Sequence, residues 1–203
     1  MENGDSRKKK YCIESRRTGY DRNCLWNRKW SVRKRSVANG RAFICGTMCT
    51  DVQVQNNGKV LGDPTEVAIV EKAISINKNR NELYAKYPKV NEIPFDSNRK
   101  LMTTIHNING KYRAITKGAP DVLLDRCTRF YNNGNIFDLS FSKRNSLKKR
   151  NEDLANRALR IIAVAYIDLD ILPKNLDDNF IENNLIFVGF IGMIDPPREG
   201  VKE

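Results

Sequence analysis

Two hydrophobic periods take turns along this chain. Residues 101–107 and 111–116 are mixed apolar and polar runs on either side of Asn109-Gly110. An Asn-Gly turn accepts positive φ at both positions, so this stretch predicts a hairpin. A shorter hairpin is predicted at Asn132-Asn133-Gly134, between Phe130-Tyr131 and Ile136-Phe137. Residues 161–167 and 185–191 read as strands, and residues 92–95 as a strand edge. Helical spacing begins after Gly62, where Asp63 suits the N-cap, Pro64 the first helical position and Glu66 the third. In that capping box the Glu66 carboxylate returns to the N–H of the cap, and Val67, Val70, Ala73 and Ile74 follow on one face. Ala119-Pro120 opens a second helix through Leu123, Leu124 and Cys127. Residues 142–158 predict a polar, exposed helix carrying Leu147, Leu154 and Ala155 inward. The apolar run 42–49 fits a buried strand or a short helix, and Asn56-Asn57-Gly58 is a turn signal before Lys59-Val60-Leu61. Hairpins alternating with helices predict an α+β fold, a mostly antiparallel twisted sheet flanked by helices. No internal repeat is visible, and residues 1–40, with Trp26 and Trp30 but no sustained period, receive no element.

Composition narrows the class. A chain of 203 residues is one domain, or one domain plus a tail, and can bury a real core. The longest nearly unbroken apolar run, residues 185–194, is far short of the roughly 20 residues that span a bilayer. No apolar stretch follows the charged N-terminus as it would in a signal peptide. The expectation is a cytoplasmic piece without membrane contact. The formal charge of +12 is uneven: residues 1–40 carry 12 Lys/Arg against 4 Asp/Glu, and the remainder 24 against 20. Runs such as Arg7-Lys8-Lys9-Lys10 and Arg33-Lys34-Arg35 suit contacts to nucleic-acid phosphates or anionic lipid, or else a solvated tail. Five cysteines (Cys12, Cys24, Cys45, Cys49 and Cys127) form no CxxC pair, which fits reduced, buried thiols and no metal site. His106, the one histidine, lies in the run 101–107 and reads as a strand residue rather than a general base.

The chemistry that stands out is a possible anion and ring site. Phe95 follows a proline just before a strongly charged turn, where its ring is either held at the surface or packed in the core. Arg99 and Lys100 lie close by in sequence, and Lys117 precedes a glycine that would let a ligand approach the backbone. Arg160 enters an otherwise apolar strand, where a long cation must reach solvent or an anion. No phosphate-cradling glycine loop is present.

Five blocks occur in order: Gly62-Asp63-Pro64-Thr65-Glu66, residues 94–102, Lys117-Gly118-Ala119-Pro120, residues 158–166, and residues 192–198. Together they resemble the nucleotide-binding domain of the P-type cation-transporting ATPases, most closely the calcium-pump-like branch, over roughly residues 43–203. The resemblance implies ATP binding, with magnesium only as the companion of ATP. It implies that Phe95 stacks on the adenine, Glu66 accepts from its amino group, and Lys117 lines the pocket floor with Gly118 beside it. Lys100 is carried over with the nucleotide-binding set, Arg160 would reach the phosphates, and Ile162 would pack on base or ribose. Asp195, Pro196, Pro197 and Arg198 resemble the hinge toward a phosphorylation domain, the partner expected in the parent pump. Ser97 stands where animal calcium pumps carry an arginine that grips the phosphates, so phosphate affinity is expected to lean on Arg160. The pattern from Ser97 to Met102 favours the calcium or sodium-potassium branch over heavy-metal pumps.

The sequence holds no Asp-Lys-Thr-Gly-Thr segment, the site of phosphoryl transfer in such pumps, and no glycine-aspartate-rich magnesium motif. The expectation is a detached domain with no catalytic residue of its own, organised as a basic arm (1–40, disordered or non-native), a nucleotide-binding domain (41–194) and a hinge (195–203). The arm stands where the family would place its phosphorylation motif, and is either sequence from a frameshift or misplaced start, or a divergent leader. The alternatives are a basic nucleic-acid-binding protein and a non-functional pump remnant. Oligonucleotide binding that falls steeply with salt and disappears on deletion of residues 1–40 would mark the former.

Overall fold

The Asn109-Gly110 turn closes as the sequence predicts, with φ of +55° and +87°. The computed structural model describes residues 11–14, 37–55, 58–173 and 176–194. Its strands are β1 (Tyr11–Glu14), β2 (Gln53–Val54), β3 (Val60–Leu61), β4 (Lys89–Asp96), β5 (Leu101–Ile108), β6 (Lys111–Gly118), β7 (Cys127–Asn132), β8 (Asn135–Asp138), β9 (Leu159–Leu169) and β10 (Leu185–Ile194). The helices are α1 (Val37–Met48), α2 (Pro64–Ser75), α3 (Arg80–Lys86), α4 (Pro120–Asp125), α5 (Phe141–Ala155) and α6 (Asp178–Ile181). The main sheet runs β4-β5-β6-β9-β10-β7-β8, and only the β10–β7 pair is parallel. The fold is therefore the expected α+β arrangement, a mostly antiparallel sheet flanked by helices. Strand β1 pairs antiparallel with residues 190–193 of β10, and β7 pairs with residues 185–187. Both lie along the edge of β10 that β9 leaves open. Strands β2 and β3 form a separate ribbon.

Strand side chains alternate between faces, so one sheet builds two cores. On one face α1, α2 and α3 cover Met102, Ile115, Val164, Tyr166 and Ile191. On the other, α4 and α5 cover Leu101, Ala163, Ala165 and Phe187. A smaller cluster of Ile93, Ile105, Ala114 and Leu169 lies under Ile181 of α6. Each fully buried aliphatic of this size contributes roughly 1.5–3 kcal/mol.

The ambiguous run at 42–49 is helical and buried: Phe43 and Cys49 are wholly inaccessible. Gly46 explains how a helix fits there. A Cβ at that position would lie 2.6 Å from Ile191 Cδ1, so the glycine lets α1 settle onto β10. The predicted exposed helix ends at Ala155 rather than at residue 158, with Leu147 and Leu154 buried as expected and Ala155 exposed. Those two leucines are seven apart and define a narrow stripe, and the next residue turns about 100° away from it. Cys127 does not extend α4 but begins β7, its thiol donating to the Leu123 carbonyl at 3.1 Å. Cys45, Cys49 and Cys127 are free and buried, and burial pushes the Cys45 and Cys127 thiols up to about 11 and about 12.

His106 is a core residue. It is inaccessible, its Nδ1 lies 3.0 Å from the Tyr87 carbonyl, and its Nε2 lies 3.0 Å from the Thr104 hydroxyl. A neutral ring donates through only one of these nitrogens, and carbonyls lie within reach of both, Tyr87 at Nδ1 and Met48 3.2 Å from Nε2. Burial holds the imidazole below its ordinary value of 6.5, although the Tyr87 and Met48 carbonyls pull the other way. The stability that neutral His106 contributes is complete above the unfolded value and is lost as pH falls through the lower folded value, because the unfolded chain binds the proton first. Urea denaturation should show a loss of stability as pH falls through and below the ordinary value of 6.5 that is smaller in His106→Gln. An equal loss in both proteins would rule out this role.

Candidate functional site

The N-terminus of α2 is fixed by its own sequence and then tied to the sheet. Asp63 is the N-cap, accepting from the N–H groups of Thr65 at 2.8 Å and Glu66 at 3.4 Å, with Pro64 in the first turn. This much follows the predicted capping box. The Glu66 carboxylate departs from it: Oε2 accepts from the Asp51 N–H at 2.6 Å, and Oε1 pairs with Nζ of Lys117. A partner 51 residues away in β6 outcompetes the local return to the cap. The two side chains are only 14% and 8% exposed, so this is a largely desolvated ion pair. One residue earlier, Thr65 Oγ1 accepts from Arg160 Nη1 of β9 at 3.0 Å. The start of α2 is thus held by a lysine and an arginine from two neighbouring strands.

Register arranges the remaining candidates around that point. Met102 of β5 pairs with Lys117 of β6, and Lys117 with Val164 of β9. Ile162 stands two residues along β9, half-buried against the core that α1 and α2 cover. On the edge strand, Ile93 pairs with Thr103 and Asp96 with Leu101, so Pro94 and Phe95 bulge out together opposite Met102. Phe95 is 62% exposed, which decides between the surface and core positions left open by the sequence. Two strand spacings, roughly 10 Å, separate its backbone from that of Lys117.

Lys100 is exposed and adopts φ of +56°, an uncommon conformation outside glycine. It is held there by its N–H on the Asp96 carbonyl at 2.6 Å and by its own carbonyl on the Ala119 N–H at 3.1 Å. Gly118 has a different reason from the expected one. A Cβ there would meet the Lys100 carbonyl oxygen at 2.1 Å and Leu101 Cδ2 at 2.7 Å, so the clearance beside it is filled by the chain's own β4–β5 turn and not by room for a ligand. Arg99, whose place in the sequence suggests a cation for the site, is likewise committed inward: Nη2 donates to the Pro94 carbonyl at 2.8 Å and Nε lies 2.8 Å from Glu182. Sequence reasoning misses Asp51, Thr65 and Glu182. Each acts through tertiary contacts that no local pattern announces. Asp195, Pro196, Pro197 and Arg198 lie outside the described residues.

Beneath the Glu66–Lys117 pair, the Cys49 thiol donates to the Met102 carbonyl at 3.4 Å, and burial pushes its pKa up, so it is no nucleophile. No group of acidic, histidine or cysteine side chains suited to a metal occurs among the described residues. A cavity of about 390 Å³ opens between α1, α3 and the hairpin end of β5–β6, lined by Ile44, Met48, Leu83 and Arg113 among others, and holds none of the candidate residues. The candidate site is instead an open face, an exposed ring at one side and ion-paired side chains at its floor.

This arrangement defines an α+β domain whose candidate residues gather on one open face of the sheet. The family described as P-type ATPase, cytoplasmic domain N, matches residues 41–200. A calcium-transporting ATPase of Listeria monocytogenes is 38% identical over 168 residues, 82% of this chain and 19% of the relative. Calcium-transporting ATPase 1 of Bacillus cereus is 38% identical over 77% of this chain and 17% of its own length. A plasma membrane-type calcium-transporting ATPase of Arabidopsis thaliana is 34% identical over 75% of the chain and 16% of its own length. The chain belongs to the P-type ATPase family as a cytoplasmic N domain, and it spans under a fifth of the length of these relatives. No helix among the described residues is long and apolar enough to cross a membrane.

Removing one partner of the desolvated pair leaves the other charge uncompensated. Lys117→Met should therefore lower stability by about 3 kcal/mol. Glu66→Gln added to it should recover part of that loss in chemical denaturation. Simply additive losses would mean that the pair contributes no coupling.

Proposed function

We propose that this chain binds ATP, as the cytoplasmic nucleotide-binding domain of a P-type cation pump, with calcium as the transported ion of the parent. The observation that carries this reading is Phe95, a large ring 62% exposed at a bulge two strands from Lys117. An apolar ring held out of the core beside a polar floor is suited to stacking on a flat base. Glu66 and Lys117 form that floor, with Gly118 closing the backbone next to them and Ile162 offering an apolar neighbour to base or ribose. Arg160, reaching from β9 to the start of α2, and exposed Lys100 are the cations toward the phosphates.

Glu66 remains able to accept an adenine amino group while it keeps Lys117 and Asp51. Each carboxylate oxygen has about two lone-pair sites, and one contact is made at each. Magnesium would arrive with the nucleotide, whose phosphates supply the oxygen ligands that this ion prefers. The sequence has no Asp-Lys-Thr-Gly-Thr segment, so phosphoryl transfer belongs to a phosphorylation domain, the partner that the hinge residues 195–198 would reach. The calcium-transporting relatives favour calcium, while two others, from Synechocystis and Mycoplasma genitalium, are named only as cation-transporting.

Calorimetric titration of the full chain with ATP should give saturable binding. Losing the base stack in Phe95→Ala should weaken it roughly 5- to 150-fold, from about 1–3 kcal/mol at 1.4 kcal/mol per decade. Lys117→Ala should abolish it, and Arg160→Ala, removing a solvent-exposed phosphate contact, should cost less than Phe95→Ala. Absence of binding by a folded wild type sinks the proposal.

A further inference from the structure

We infer that the buried Arg99–Glu182 pair is the positioning device for Phe95, fixing the β4–β5 turn, and with it the ring offered to the nucleotide, from the opposite face of the sheet. The inference rests on the ATP-binding reading above and adds to it two residues that do not touch the ligand.

Glu182 follows α6 and is wholly buried. Its Oε1 accepts from the Thr103 hydroxyl at 2.8 Å, and Thr103 lies 2.9 Å from the Thr116 hydroxyl. Thr116 precedes Lys117 on β6, so the two point to opposite faces, and Glu182 is seated directly behind the floor of the site. Arg99 Nε lies 2.8 Å from Glu182 Oε2, Arg126 Nη1 4.0 Å from the same oxygen, and Asp178 3.7 Å from Arg99 Nη1. The Arg99 Nε–H does not aim along the line to that oxygen, so the contact is one of charge rather than a directed hydrogen bond. Burial pushes the Glu182 carboxyl up, while Thr103, Arg99 and Arg126 oppose the shift. A buried pair of this kind adds little net stability, since desolvation offsets most of the attraction. Its geometry is what distinguishes it.

The other end of Arg99 holds the turn. Nη2 donates to the Pro94 carbonyl at 2.8 Å and to the Leu101 carbonyl at 3.2 Å, bridging the last residue before Phe95 to the first residue of β5. Pro94 has no N–H, and the ladder is broken where Pro94 and Phe95 bulge opposite Met102. Regular pairing therefore does not fix Phe95. Inside the turn the Asp96 carboxylate accepts from Asn98 at 2.9 Å and Arg99 at 2.8 Å, which sets the turn's own shape but not its attachment to the domain. The Ala119 N–H on the Lys100 carbonyl ties down the far end of the turn, and Arg99 adds the side-chain attachment that reaches Pro94, next to Phe95.

The test compares Glu182→Gln and Arg99→Lys, each alone and combined with Phe95→Ala, by ATP calorimetry and by the NMR shifts of Phe95. Each single variant should remain folded, move the Phe95 resonances and weaken ATP roughly 3- to 10-fold, part of what loss of the ring costs. In the Phe95→Ala background the same changes should cost less than about twofold, because the ring they act through is gone. Equal losses in both backgrounds, or unmoved Phe95 resonances, overturn the inference. If Glu182→Gln does not fold, Arg99→Lys carries the test, since it keeps a charge opposite Glu182 but loses the fork to Pro94. Unfolding of both variants also overturns it, the pair then serving the domain as a whole. If the wild type fails to bind ATP, that reading falls by itself, and the Phe95 resonances alone decide the positioning role.

Discussion

The desolvated contact between Glu66 and Lys117 is the constraint around which the site is organised. It joins the first turn of a helix to the middle of a sheet, and the same carboxylate also fixes the backbone at Asp51. Two charges that are 14% and 8% exposed have given up most of their hydration, and only mutual pairing offsets that cost. The pair therefore does little to raise stability over an apolar substitute, yet it severely restricts how α2 can sit. A helix that slid or rotated would strand both charges. The cost of the pair is thus converted into position, and the Arg160–Thr65 contact one residue away makes rotation harder still.

The sheet then divides its labour by face. One face carries α1, α2 and the ion-paired floor, and the other carries α4, α5 and the buried Glu182. Alternation along β6 places Thr116 and Lys117 on opposite sides, so the two faces are joined through a single strand. Gly118 completes this by letting the β4–β5 turn press against β6 with no side chain between them. Packing at such a distance leaves little room for the turn to shift against β6.

Local signals carried the fold a long way. The Asn109-Gly110 and Asn133-Gly134 turns, with all four residues at positive φ, were legible because two adjacent residues suffice to specify them. The Asp63-Pro64 helix start was legible for the same reason. The use of charge over distance was not. Glu66 fits a capping box by spacing, yet its partners are Asp51 and Lys117. Arg99 looks like a cation for phosphate, yet it is turned toward Glu182, which lies 83 positions later in a polar stretch with no pattern of its own. Residues 42–49 remained open between helix and strand because they are buried nearly all round, and periodicity distinguishes the two only where one side is polar.

These commitments limit how the domain can hold a polyanion. Lys117 is paired with Glu66, Arg99 is occupied by Glu182 and two carbonyls, and Arg160 already contacts Thr65. Ser97 adds no charge. Of the cations near Phe95, Lys100 is exposed and held in place by its backbone, but its long side chain has rotamer freedom to lose on binding. Coulomb attraction between exposed charges in water is about 1 kcal/mol at 4 Å before screening. The phosphate end is therefore weakly provided for, and stacking on Phe95 offers more binding energy than Arg160 or Lys100. The position of that ring then matters more than the number of cations around it, which gives a fully buried and energetically costly Glu182 a physical reason to exist.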